Sequence, residues 1–159
     1  MPIATYHGSC HCGAVRFEAE IDLGAGTGKC NCSYCSKSRN WNAILKPDAF
    51  RLLAGKDALA DYQFGTRQGH HRFCRTCGVH THSHGDIPEI GGAFVSVQLG
   101  TLDDAAVAAL ADAPVHFSNG RPTVKLSDNP AKAIGPADQI ARYKRVFDVG
   151  AQVEEPVLV

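Results

Sequence analysis

The cysteines constrain this chain more than any other feature of its sequence. All seven fall within residues 10–77 of a 159-residue chain, and they form three tight clusters. An odd number of cysteines cannot pair completely into disulfides, and residues 1–7 contain neither a basic leader nor an apolar run. We therefore expect a cytoplasmic protein whose cysteines serve as metal ligands or catalytic groups. The clusters are Cys10-His11-Cys12, Cys30-Asn31-Cys32-Ser33-Tyr34-Cys35 and Cys74-Arg75-Thr76-Cys77-Gly78.

The outer two clusters together predict a closed metal site. A Cys-x-x-Cys turn followed by glycine directs the sulfurs of Cys74 and Cys77 toward one point, which makes half of a site. Cys10 and Cys12 stand two residues apart, so on an extended segment their side chains share a face and supply the other half. Protein then fills all four tetrahedral positions, as in structural zinc sites. Sulfur ligands favour Zn²⁺ over harder ions.

The middle cluster leaves three sulfurs for a second ion. Zinc held by Cys30, Cys32 and Cys35 would have a fourth position open to water, a thiol or a carbonyl oxygen, as catalytic zinc does. Two other interpretations remain open. A histidine closes the site and makes it structural, or the three thiols are reduced and bind no metal.

Size and charge exclude several classes of function. A chain of this length buries enough apolar surface to fold without cross-links, so a metal here needs a chemical explanation. Sixteen Lys and Arg residues balance sixteen Asp and Glu residues, which argues against the positive field of a nucleic-acid-binding protein. No apolar run approaches membrane-spanning length.

Hydrophobic periodicity predicts a β-rich domain. Residues 15–21 alternate between apolar and charged side chains, which indicates a strand with one buried face. The segments 41–45, 50–53, 59–64 and 93–99 read as further strands, and Asp103–Asp112 as a helix that ends before Pro114. We expect one domain over residues 1–118. A C-terminal arm over residues 119–159 follows, with a short helix near residues 138–147.

Three alternating histidines form a further pattern. On a strand, His80, His82 and His84 would face one side, where they can bind metal or shuttle protons. The expected role is simpler: an exposed polar strand face.

Three stretches of the chain resemble the family of glutathione-dependent formaldehyde-activating enzymes, which includes the centromere protein V domain. The joint spacing of the seven cysteines makes the resemblance specific. It implies a mainly β, Mss4-like fold of antiparallel sheets with one or two short helices. It also implies two zinc ions, a structural one on Cys10, Cys12, Cys74 and Cys77 and a catalytic one on Cys30, Cys32 and Cys35. The matching stretches are residues 8–17, 30–35 and 71–79, with residues 62–66 also similar.

The resemblance implies an activity as well. Family members add the thiol of glutathione to formaldehyde, giving S-(hydroxymethyl)glutathione in a carbon–sulfur lyase reaction, so a small thiol and a small aldehyde are the expected partners. His71 matches the family pattern and is expected in the catalytic site. Lys29, Lys37 and Arg39 flank the triad with no acid between them and can receive carboxylates of glutathione. Tyr34 and Trp41 are candidates for the pocket wall.

Two other classes of function fit the same cysteines. The first is a non-catalytic, zinc-stabilised binding module with a macromolecular partner, as the centromere relative suggests. The second is a thiol redox or zinc-buffering protein, since three clustered cysteines can oxidise after metal loss. Closure of the fourth position at the triad would favour the module, and a disulfide within it would favour redox chemistry.

Overall fold

The computed structural model describes residues 2–88, 91–103 and 109–118, and this part of the chain is mainly β. No helix in it is long and apolar enough to cross a membrane. Its strands and α-helix are β1 Ala4–Ser9, β2 Arg16–Ile21, β3 Thr27–Cys30, α1 Ser33–Ser38, β4 Asn42–Leu45, β5 Phe50–Ala54, β6 Leu59–Tyr62, β7 Gly69–Cys74, β8 His80–Ile87, β9 Gly92–Gln98 and β10 Val115–Ser118. Short 3-10 turns cover Leu23–Ala25, Pro47–Ala49, Lys56–Ala58 and Leu99–Thr101.

The described strands form two sheets. The smaller sheet has the order β1-β2-β5, and the larger has the order β10-β3-β4-β9-β8-β7-β6. Neighbouring strands are antiparallel except at one edge, where β10 runs parallel to β3. The expectation of antiparallel sheets is therefore confirmed for all other pairs. A parallel pair needs a long crossover rather than a tight turn, and here most of the domain lies between the two strands.

The predicted buried face of β2 is confirmed and forms the centre of the core. Phe17, Ala19 and Ile21 are buried, and they share one hydrophobic cluster with Ala43 of β4 and Val97 of β9. The cluster joins the small sheet to the middle of the large one. β3 and α1 lie toward the edge, where most side chains, except the buried Thr27, are half-buried or exposed.

The other predicted elements have mixed outcomes. Strands β4, β5, β6 and β9 lie in the predicted segments, although β6 ends at Tyr62 rather than at residue 64. Of the predicted helix, Asp103 is not helical, residues 109–111 are helical, and residues 104–108 lie outside the described part. The predicted arm over residues 119–159 and its helix near residues 138–147 also lie outside it.

The expectation of an exposed histidine face on β8 is wrong. His82 is buried, with its ring centroid 4.6 Å from that of Phe50, and His80 and His84 are half-buried. The three rings do not share a side either. Arg72 pairs with His82 but Phe73 pairs with His80, so Thr81 forms a bulge between them. An extra residue reverses the alternation of a strand, and His80 therefore lies on the side opposite His82.

Candidate metal centres

Two glycine-ended turns build the four-cysteine site. The Gly13 N–H donates to the Cys10 carbonyl at 3.0 Å, and the Gly78 N–H donates to the Cys74 carbonyl at 2.8 Å. Both glycines have positive φ values, +77° and +75°, which side chains disfavour. Cys10 and Cys12 therefore lie in a turn and not on the extended segment that was expected. The turn still brings their sulfurs together.

The geometry of the four sulfurs fits a tetrahedral ion. All four Sγ atoms lie within 4.8 Å of one another, and Cys12 Sγ is 3.6 Å from both Cys10 Sγ and Cys74 Sγ. A zinc–sulfur bond of about 2.3 Å puts tetrahedral sulfurs about 3.8 Å apart. Hydrogen bonds from the backbone of Cys12 and Val79 lower the pKa of Cys77 to about 6, which favours the ligating thiolate.

The three-cysteine site forms where β3 meets α1. Cys30 ends β3, Cys32 caps α1 and Cys35 lies in its first turn, and their Sγ atoms all lie within 4.8 Å of one another. The Cys32 N–H donates to Cys30 Sγ at 3.4 Å, and the Cys35 N–H donates to Cys32 Sγ at 3.3 Å. Among the described residues, no fourth His, Cys, Asp or Glu joins this group.

One thiol of this triad favours negative charge. A hydrogen bond from the Cys35 thiol, helped by the Cys32 N–H and the Ser118 hydroxyl, lowers the pKa of Cys30 to about 5. The same hydrogen bond, together with burial, raises the pKa of Cys35. One thiolate thus forms even without an ion, and a soft cation is the natural partner for the set. The three residues therefore fit zinc as ligands.

An aromatic cluster adjoins the triad through Tyr34, which stands between Cys32 and Cys35 in α1. The Tyr34 ring centroid is 4.0 Å from that of His71 and 5.3 Å from that of Phe64. Burial raises the pKa of Tyr34 to about 12, so its hydroxyl keeps its proton at neutral pH. The structure therefore brings together two of the predicted site residues, Tyr34 and His71.

Two rings of this cluster were not assigned a role from the sequence. Tyr62 and Phe64 lie within 5.8 Å of Tyr34 and remain 49% and 42% exposed. The similarity of residues 62–66 to the family was the only signal for them.

A cleft of about 260 Å³ lies at the C-terminal end of α1. The predicted residues Arg39 and Trp41 line it, and Lys29 Nζ lies 5.3 Å from the Trp41 ring centroid. Lys37 is exposed in the last turn of α1. No acidic side chain lines the cleft, so its charge is complementary to a carboxylate. The lining is Ser38, Arg39, Trp41, Val79, His80, Gln98, Gly100 and Thr101.

Comparison with known proteins agrees with this arrangement. The profile of a family described as "Glutathione-dependent formaldehyde-activating enzyme" matches residues 5–118, which include both cysteine sites. The fold is similar to the crystal structure of a Rhodobacter sphaeroides protein. That protein has 33% sequence identity and a TM-score of 0.59, and the match covers 69% of this chain and 99% of that one. The cysteine spacing therefore identified the relationship correctly: the chain belongs to the family of glutathione-dependent formaldehyde-activating enzymes.

Proposed function

We propose that this protein adds the thiol of glutathione to formaldehyde or a related small aldehyde, and so acts as a carbon–sulfur lyase. One observation carries the proposal. Cys30, Cys32 and Cys35 converge on one point without a fourth side-chain ligand among the described residues, whereas the other site has four. The first set then holds a zinc ion that can accept a substrate, and the second set holds a structural zinc ion.

The residues of the triad prepare the site for this chemistry. Zinc, when bound, lowers the pKa of a thiol and polarises a carbonyl group. The N–H groups of Cys32 and Cys35 orient two of the sulfurs and share their negative charge. In the reaction a carbon–sulfur bond forms, the carbonyl π bond breaks, and the thiol proton ends on the new hydroxyl group. The protein must therefore bind the thiol and support charge on the oxygen.

The surroundings of the triad support glutathione as the thiol. Its two carboxylates need cations, and Arg39 lines a cleft that contains no acid. Lys29 lies against Trp41, and Lys37 is exposed in the last turn of α1. Trp41, which lines the cleft, and Tyr34, which adjoins the triad, offer aromatic surfaces.

Two further properties belong to the same proposal. Seven cysteines used as thiols or thiolates require a reducing compartment, which supports a cytoplasmic location. The family match ends at residue 118, which supports a catalytic domain over residues 1–118 followed by an arm.

Metal analysis combined with an activity assay tests the proposal. The purified protein should contain two zinc ions per chain, and formaldehyde should disappear faster with glutathione than in the uncatalysed mixture. Cys32→Ser should lose one zinc ion and the catalysed rate but keep its fold. Ser33→Ala, an exposed neighbour in α1, serves as the matched control and should keep both.

Other outcomes of this test point to the other classes. A full complement of zinc with no rate above background would support a binding module. A disulfide within the triad of freshly prepared protein would support redox chemistry. Full activity in Cys32→Ser would contradict any role of the triad in catalysis.

A further inference from the structure

A chain of hydrogen bonds links His80 to His71 through one buried serine. His71 and Ser83 are direct cross-strand partners, and His71 Nδ1 lies 2.8 Å from Ser83 Oγ. His80 Nε2 lies 2.9 Å from the same oxygen. The bulge at Thr81 makes this possible, because it turns His80 to the side of the sheet that carries His71 and Ser83.

The third contact of His80 fixes the proton positions. His80 Nε2 also lies 3.1 Å from the His82 carbonyl oxygen, which can only accept a hydrogen bond. His80 Nε2 therefore carries the proton and donates to both oxygens. Ser83 Oγ accepts from His80, and among the described residues His71 Nδ1 is the other hydrogen-bond partner of this buried hydroxyl, so the hydroxyl hydrogen is directed to His71 Nδ1. His71 Nδ1 is thus an acceptor, and its proton is on Nε2.

The protonation states of the two rings agree with this assignment. Burial, with a smaller contribution from the nearby His71, lowers the pKa of His80 to about 4. Burial also lowers the pKa of His71. Asp61 opposes this effect, and His70 adds a smaller contribution to it. Both rings are therefore neutral at pH 7 and each carries one N–H.

The protonated nitrogen of His71 is available to a ligand. Among the described residues, His80 Nδ1 is the one buried side-chain nitrogen or oxygen without a hydrogen-bond partner. His71 Nε2 is therefore not both buried and without a partner. His71 Nε2 lies near Gly69, where a Cβ atom would be 3.8 Å away, an ordinary contact distance. The same ring packs against Tyr34 beside the triad, with the two ring centroids 4.0 Å apart.

We propose that His80 and Ser83 are positioning residues that hold His71 as an Nε2–H donor to the aldehyde oxygen. The proposal rests on the proposed function. As the sulfur–carbon bond forms, the electron pair of the carbonyl π bond moves to oxygen, and the His71 Nε2–H hydrogen-bonds to that developing charge. The thiol gives one proton to solvent, and the oxygen takes one proton back from solvent. The protons therefore balance, and His71 ends the cycle neutral. His71 is thereby a donor and not the base that deprotonates the thiol.

Nitrogen NMR of the histidine rings tests the assignment without any activity measurement. In the zinc-loaded protein near pH 7, the long-range ¹H–¹⁵N spectrum should show His71 with protonated Nε2 and bare Nδ1, its signals being assigned by their loss in His71→Gln. Ser83→Ala should abolish this preference, and Ser83→Thr, which keeps the hydroxyl, should restore it. A protonated Nδ1 in the wild-type protein would overturn the proposal, even if the enzyme is fully active.

Kinetics test the consequence for the reaction. Ser83→Ala should lower kcat roughly 10-fold with little change in the KM for glutathione, as loss of a ligand-orienting hydrogen bond does elsewhere. Ser96→Ala removes a buried serine directly opposite Ser83 on β9 and should leave kcat unchanged. Equal losses of kcat in the two variants would reduce Ser83 to a structural role. An inactive wild-type protein that still shows the predicted tautomer would contradict the proposed function alone.

Discussion

The two cysteine sites of this protein use the same kind of ligand in different surroundings. Cys10 and Cys74 are 2% and 0% exposed and belong to a hydrophobic cluster with Val15 and Leu59. The three sulfurs of the triad belong to half-buried residues that are outside both core clusters. The four-cysteine site thus has two ligands in the packed core, and the three-cysteine site has none.

The difference shows how one residue type serves structure and chemistry in a single small domain. Two of the four ligands of the four-cysteine site are buried at tight turns, where movement of a ligand would disturb the core, whereas Cys12 is exposed and Cys77 half-buried. The triad lies at a strand end and a short helix with basic side chains, which on the proposed function gives a substrate access. Contact with a core cluster, more than ligand type, therefore separates the two proposed roles.

The largest expected effect is the loss of a ligand from the closed site. Cys10→Ser removes a sulfur from the core cluster, and we expect the free energy of unfolding to fall by roughly 5 kcal/mol or more, because metal binding is coupled to folding. Thermal unfolding with metal analysis measures this. Cys35→Ser should lose zinc with a much smaller shift. Equal destabilisation by both substitutions would erase the distinction between the sites.

Acidification tests whether the neutral, buried His82 makes the stability of the core depend on pH, independently of the cysteines. Burial, with the nearby His84, His80 and Arg72, lowers the pKa of His82 to about 3. The unfolded chain binds a proton below pH 6.5 that the folded chain does not, so stability is complete above that pH and declines toward pH 3. Between pH 7.5 and pH 5 this predicts a loss of about 2 kcal/mol.

Urea unfolding with excess zinc at the two pH values measures this loss. His82→Gln should show a shallower pH dependence than the wild-type protein. An unchanged slope in His82→Gln would assign the acid sensitivity to other groups, such as His80 or the cysteine sites.

The turns of the closed site predict an intermediate effect. Gly78→Ala places a side chain at φ +75°, where no neighbouring atom lies within 4 Å, so the backbone conformation is the only obstacle. We expect a loss of about 1–2 kcal/mol and retained activity. Gly100→Ala also meets open space but at an ordinary φ, and it should be neutral in the same denaturation experiment. Similar losses for both would show that backbone strain is not the cause.

The smallest expected effect concerns the charges beside the open site. Arg39→Gln should raise the KM for glutathione about 5-fold, the size expected for an exposed ion pair, and leave the unfolding free energy unchanged. Lys56→Gln, an exposed cation on a 3-10 turn, should change neither. Steady-state kinetics at two salt concentrations checks this, since added salt should reduce the difference between wild type and Arg39→Gln.

The sequence predicted those parts of the molecule that leave a local signal. Alternation identified β2 because Phe17, Ala19 and Ile21 are apolar and their neighbours are charged. The cysteine spacing identified both sulfur sets because short turns fix the positions of ligands two or three residues apart. Even the mistaken extended geometry at Cys10 and Cys12 led to the right grouping.

What the sequence missed depends on contacts that are polar or distant. β8 buries Thr81, His82 and Ser83, whose polar groups form hydrogen bonds. Because these side chains are polar, hydrophobic periodicity could not detect that the segment is buried. The bulge at Thr81 is a property of the pairing with β7. The contact of Ser118 with the triad likewise depends on β10, a strand that lies far from Cys30 in the sequence.

The parallel pairing of β10 with β3 also sets an order of assembly. Ser118 donates to the Lys29 carbonyl across 89 residues of chain, whereas all ligands of the closed site have been made once residue 77 is complete. A ribosome builds the chain from its N-terminus, so the closed site can form while the outer neighbour of the strand that carries Cys30 is still unsynthesised. The four-cysteine site can thus form before β10 pairs with β3 beside the triad.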